Sequence, residues 1–311
     1  MTVTDTELSV APPPAPALTP ASAIARAGAP RFDDLRALCA SARSFGADGA
    51  ANRLVPHVVL PALLGGAPPG VVTTALGEAG EDFDLDAVTC AFDGRTLTGR
   101  KPLVSGALES ESALVAARTD DGVVLVLVRF DAAGVQRRPL RTLGRLGDAD
   151  VRFDHAAVDV VVDAATVAAR TERAFAVATL VQAAEGAGIL HQLLEYSLAQ
   201  GHERYAFGRP VGSFMAFQHM CAEIAMEREL ADTAVDRAAV AGTALATAQA
   251  RLFVGGAAVR AARTGVQLQG GKGFLDDSPV ARLYRQAKES QLRWGAPRLH
   301  QRRLAADLLE G

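Results

Sequence analysis

The sequence predicts an α+β chain in three parts: a truncated N-terminal helical segment, an antiparallel β domain of sandwich or partial-barrel type, and a C-terminal antiparallel four-helix bundle. Three observations carry this. The apolar period is two from about residue 71 to 163, with Asp-Gly turns between its runs. After residue 164 the period becomes helical, and glycine and proline thin out. With 311 residues, 49% of them hydrophobic, the chain can bury a large core across two or three domains.

The elements follow in order. Residues 1–30, "MTVTDTELSVAPPPAPALTPASAIARAGAP", read as a disordered proline- and alanine-rich arm without the basic start and apolar run of a signal peptide. Residues 31–70 hold one amphipathic helix, with Phe32, Leu35, Leu38 and Phe45 on one face, and then a proline-rich connector, "LVPHVVLPALLGGAPP". In the β domain, 71–163, "AVTCAFDGRTLTG" and "SALVAARTDDGVVLVLVRF" read as strand pairs turning at Asp93-Gly94 and Asp121-Gly122. "ADVRFDHAAVDVVVD" adds at least one more strand. The bundle, 164–311, shows helical patterns over about 164–203, 214–241, 243–268 and 280–309, the last broken at Gly295. Its most apolar stretch, "AFAVATLVQAAEGAGIL", carries Glu185 and two glycines, so it reads as a buried helix rather than a membrane span.

Charge and motif content exclude several functions. Lys and Arg number 32 against 35 Asp and Glu, which leaves no basic excess to neutralise a nucleic acid backbone. Cys39, Cys90 and Cys221 are far apart and lack C-x-x-C spacing, which argues against zinc or a disulfide framework and fits a reducing cytoplasm. The six histidines show no metal-ligand spacing. Arg298, Arg302 and Arg303 read as a solvated face, with a phosphate contact as the alternative. Neither a G-x-S-x-G elbow nor a strand-G-x-G-x-x-G-helix unit is found.

Three segments stand out: "TLTGRKPLVSGALESESALVAAR" (96–118), "ERYAFGRPVGSFMAFQH" (203–219) and "VQLQGGKGFLDDSPVARLYRQAK" (266–288). Together they resemble the flavin-dependent acyl-CoA dehydrogenase family, with its G-x-K-x-x-x-(S/T) strand, R-x-x-F-G-x-P turn and V-Q-x-x-G-G-x-G-F turn. The resemblance runs from about residue 71 to 311. The ending "PVARLYRQAKESQLRWG" is similar to the actinobacterial branch in which mixed assemblies form.

The resemblance implies FAD as cofactor and an acyl thioester as substrate. It places Arg204 on the pyrophosphate, Phe207 beside the adenine, Gln267 and Gly271 against a neighbouring subunit's cofactor, and Ser105 against the isoalloxazine ring. On the residues alone, Arg204 is equally a surface arginine near a helix end, and Gly270 and Gly271 equally serve a turn. There are departures. Leu103 replaces a bulky aromatic residue. In "ALGEAGEDFD" (75–84), where the family reads T-E-P-x-x-G-S-D, Glu78 and Gly80 survive, while Gly77 and Ala79 replace the threonine and proline.

The reaction needs a carboxylate base for the α-proton. Counting from Val266-Gln267 puts Trp294 at the usual position of that glutamate, and counting back from Arg204 puts Ala178 at the alternative one. An indole N–H cannot accept a proton. Glu172 and Glu185, on the same helical pattern as Ala178, are weak substitutes that read more simply as solvated or capping acids. The expectation is therefore a subunit whose glutamate comes from a homologous partner chain. The alternatives are a non-redox enzyme, such as a lyase, cyclase or isomerase, and a non-catalytic scaffold.

Overall fold

The computed structural model describes residues 34–49, 52–65, 70–78, 85–144 and 147–310. The arm over 1–30, together with Ala79 and Gly80, lies outside the described residues. Helix α1 (Leu35–Ala47) starts at Asp34, whose side chain accepts the Ala37 N–H at 3.0 Å, an ordinary N-cap. It buries Leu38, Ala42 and Phe45.

The connector after α1 corrects the sequence reading. A π-helical turn over Val55–Val59 runs into α2 (Leu60–Gly65), and residues 54–60 are all buried. A short helix buried on every side, with His57 its one polar residue, has no solvated face to reveal its period, and Pro56 in the first turn looks like a loop signal.

Among the described residues the β domain has eight strands: β1 (Val72–Ala75), β2 (Ala91–Phe92), β3 (Thr96–Val104), β4 (Ser112–Thr119), β5 (Gly122–Arg129), β6 (Val135–Pro139), β7 (Ala149–Ala157) and β8 (Val160–Val162). They form one sheet in the order β6-β7-β3-β2-β4-β5-β8, with β1 paired to β4. The sheet is mixed, not antiparallel throughout: β1 and β2 both pair with β4 in parallel. Hairpin turns report only antiparallel neighbours, so a parallel partner some forty residues downstream leaves no local signal. Strand β4 is buried on both faces: Ala113, Val115 and Ala117 enter the sheet's own core, while Leu114 and Ala116 enter the core of the helical region. The sheet is thereby held against the helices.

Among the described residues the helical region contains α3 (Ala164–Glu203), α4 (Met215–Ala241), α5 (Ala244–Gln269), α6 (Pro279–Leu292) and α7 (Pro297–Glu310), the last two being the fourth helical pattern divided at the expected break around Gly295. Asp163 caps α3, and Ser278 with Pro279 at the first helical position starts α6. Helix α3 is long and apolar enough to cross a membrane, but 89% of that window is buried inside the protein. Its contact with α1 is backbone on backbone. A Cβ at Gly188 would be driven into the Arg43 carbonyl, and one at Gly46 into the Glu185 carbonyl. The hairpin of β9 (Tyr205–Ala206) and β10 (Arg209–Pro210) joins α3 to α4.

Candidate active site

The chain leaves α6 by an unusual path. Arg293 is extended (φ −79°, ψ 153°), Trp294 follows at φ 54° and Gly295 at φ 101°. A bulky residue at positive φ is strained, and such strain persists only where surrounding contacts over-determine it. Trp294 is 5% exposed and belongs to the helical core. Beside it, His300 stacks on Phe175 with ring centroids 5.6 Å apart. A Cβ at Gly295 would come within 2.7 Å of His300 Nε2. Burial, then the cations Arg251 and Arg303, lower the His300 pKa to about 4, so it is a neutral packing element at physiological pH.

Arg293 points the other way, into the β domain. Its Nη1 donates to Ser105 Oγ, and its Nη2 donates to Asp148 Oδ2 and Glu289 Oε1. All four side chains are buried. Asp148 also accepts the Gly106 N–H at 3.1 Å and the Thr142 hydroxyl at 2.6 Å, and Thr73 Oγ1 donates to the Ser105 carbonyl. Burial works against the charge on Arg293, but Asp148 and Glu289 outweigh it and hold the pKa above the ordinary value. Burial raises the pKa of Glu289, an effect that Arg293 only partly offsets. Sequence reasoning missed Arg293, Asp148 and Glu289, whose one local signal is the i,i+4 spacing of Glu289 and Arg293 on the α6 pattern.

The alternative base positions lie apart from this cluster. Ala178 is fully buried in the helical core. Glu172 is on the exposed side of α3, at a small cleft shared with Phe175, Thr179, His300 and Arg303. Glu185 is sealed at 0% exposure, where its Oε2 accepts the Asn52 N–H at 3.0 Å and the Gln182 amide at 2.8 Å. Burial raises its pKa to about 8 against hydrogen bonds from Asn52, Leu54 and Gln182 and the charge of Arg251. A protonated, enclosed carboxyl ties residues 52–54 to α3 rather than collecting a proton from a substrate.

The two glycine-containing turns do come together. Arg204 Nη1 donates to the Gln269 carbonyl at 3.3 Å, and a Cβ at Gly270 would lie 2.9 Å from that same nitrogen. Phe207, at φ 53°, is 96% exposed and meets Phe214 edge to face at 6.2 Å. Gln267 and Gly271 are exposed on the same turn, and Gln267 lines a cleft of about 380 Å³ with Arg263, Phe274 and Arg285. In the β domain, the two motif residues Glu78 and Lys101 pair with each other at 2.7 Å in a buried site. Glu78 also accepts the Cys90 N–H at 2.9 Å, so this pair anchors the loop after β1 to β3.

A mixed sheet is followed by long helices, and the two glycine-containing turns lie on the helical part. Residues 168–309 match the family model for the acyl-CoA dehydrogenase C-terminal domain. The chain is similar to 3-sulfinopropanoyl-CoA desulfinase of Paraburkholderia xenovorans, 29% identical over 79% of this chain and 69% of that protein. It is also similar to the probable acyl-CoA dehydrogenase YngJ of Bacillus subtilis, 35% identical over 41% of this chain and 35% of that protein. The chain thus spans between about a third and just over two thirds of these curated relatives. Among solved structures, the ChsE4-ChsE5 complex from Mycobacterium tuberculosis has a chain 27% identical at a TM-score of 0.77, covering 94% of this chain and 86% of that one. The Tcur3481-Tcur3483 steroid ACAD gives 25% identity at a TM-score of 0.75, covering 89% of this chain and 81% of that one.

Proposed function

We propose that this chain is one subunit of a cytoplasmic acyl-CoA dehydrogenase assembly, in which a homologous partner holds the acyl thioester and supplies the carboxylate that removes its α-proton. The observation that carries this reading is a contrast within the chain: the position of the base holds a buried Trp294, while the face bearing Arg204, Phe207, Gln267 and Gly271 is open to solvent. FAD, when bound in this family, accepts the hydride from the β-carbon. On this chain the open face fits its nucleotide half. Arg204 offers guanidinium donors for a diphosphate, Phe207 a flat apolar surface, and Gly271 a backbone without a side chain in the way. The heteromeric composition of two similar solved structures, ChsE4-ChsE5 and Tcur3481-Tcur3483, supports the same reading.

The test is co-expression with a full-length homologous dehydrogenase from the native host. The isolated chain is expected to be colourless or weakly yellow and inactive in dye reduction with acyl-CoA substrates. The co-purified assembly is expected to be yellow and active, with Arg204→Ala in this chain lowering its flavin content. A strongly flavinated, active homo-oligomer refutes the reading. Tight flavin without acyl-CoA turnover, in isolation and in complex, would favour a non-redox role on the same fold.

A further inference from the structure

We propose that Arg293 is an internal latch that fills this chain's own flavin-ring site, so that only the Arg204 face is available to a cofactor, and that cofactor is one held mainly by another subunit. The proposal rests on the subunit reading above and adds to it the residue that closes the site.

The resemblance assigns Ser105 to the isoalloxazine ring, and the residues present do not fit that group. The Ser105 hydroxyl already accepts Nη1 of Arg293, and its carbonyl already accepts Thr73 Oγ1. Arg293, Ser105, Asp148 and Glu289 are 7%, 5%, 1% and 6% exposed, so no water-filled slot lies between them for a three-ring plane. Gly144 covers the far side: a Cβ there would overlap Glu289 Oε2. On the near side, His57 is buried with Nδ1 3.2 Å from the Val72 carbonyl. Five clefts formed by the described residues all lie away from Ser105.

The latch also spans the two parts of the chain. Ser105 follows β3, Asp148 precedes β7, and Glu289 and Arg293 belong to α6 and its end. A ring could enter only if the guanidinium withdrew, and withdrawal would leave Asp148 buried without its cation. The latch is therefore held shut by the desolvation cost of opening it. That cost falls if Arg293 and Asp148 are neutralised together, since Glu289, the remaining partner, can take up a proton in its buried place.

The test uses lumiflavin, the ring without ribityl or nucleotide, titrated onto the purified full chain. Trp294, the only tryptophan in the sequence and next to Arg293, reports binding through quenching of its emission. Wild type is expected to show no saturable quenching. Arg293→Ala, or the charge-neutral pair Arg293→Met with Asp148→Asn where the single variant fails to fold, is expected to gain saturable binding at least tenfold tighter than any wild-type signal. Stoichiometric lumiflavin or FAD ring binding by wild type overturns the latch. So does a folded variant, with native circular dichroism, that still takes no ring. Neither result bears on partner co-purification, which tests the subunit reading separately.

Discussion

Glu185→Gln tests how the helical core is held together. Glu185 is fully enclosed, its pKa is raised by burial from the ordinary 4.5 to about 8, and its Oε2 accepts the Asn52 N–H and the Gln182 amide. In the unfolded chain the carboxyl ionises near 4.5, while in the folded chain it keeps its proton until about 8. Between these values the folded state binds the extra proton, so its stability falls as pH rises, by about 1.4 kcal/mol per pH unit. Over the whole window the loss approaches about 5 kcal/mol, and it is complete above the folded pKa. Glutamine keeps an acceptor for Asn52 and Gln182 and carries no charge. At pH 5 the variant is expected within about 1 kcal/mol of wild type. At pH 8.5 it is expected to be more stable by several kcal/mol, with about 5 as the ceiling. Urea unfolding followed by circular dichroism at pH 5, 6.5 and 8.5 measures the difference directly. Wild-type and variant stabilities that run parallel across this range would refute a proton held in the core.

Two further outcomes follow from the packing. Gly188→Ala places a Cβ against the Arg43 carbonyl and forces α1 away from α3, with an expected loss of about 3 kcal/mol or more in chemical denaturation. Unchanged stability would mean the two helices can slide apart freely. Trp294→Glu introduces the carboxylate that the proposed reading finds replaced at this position, yet it is expected to give no deuterium exchange at the α-carbon of an acyl-CoA, even with flavin added, and to destabilise the fold by more than about 3 kcal/mol through an unpaired buried carboxylate. A folded variant that exchanges α-protons would show that the base alone was missing.

Much of the architecture was legible because local patterns report local structure. The hairpin between β4 and β5 turns at Asp120-Asp121, one residue before the Asp-Gly pair read from the sequence, with Gly122 opening β5, and the long helical pattern from 164 to 203 is α3. What escaped were features that depend on distant partners. The parallel pairing of β1 with β4 and the buried helical connector carry no polar alternation or hairpin turn. At the site, Arg204 and Gly270 each lie on a motif readable as a string, but their contact with each other emerged only in the structure. The Arg293 cluster was not readable: its links to Ser105 and Asp148 span 188 and 145 residues, and no short motif encodes a contact of that range.

On the proposed reading, the replacement of the base and the closure of the ring site are one structural event, because adjacent residues would perform them. Loss of a glutamate alone would leave an open, inert cleft. Here the backbone turns from extended at Arg293 to left-handed at Trp294, which sends one side chain into the sheet domain and the other into the helical core. The strain of a bulky residue at positive φ is offset by Trp294 burial on one side and by the Arg293 ion pairs on the other. On the proposed reading, changing only one of the two positions therefore cannot give dehydrogenation: a glutamate at 294 would still face a closed ring pocket, and an opened ring pocket at 293 would still have no base beside it. The exposed Arg204 turn lies outside this closure, and its residues are the ones a second subunit can reach.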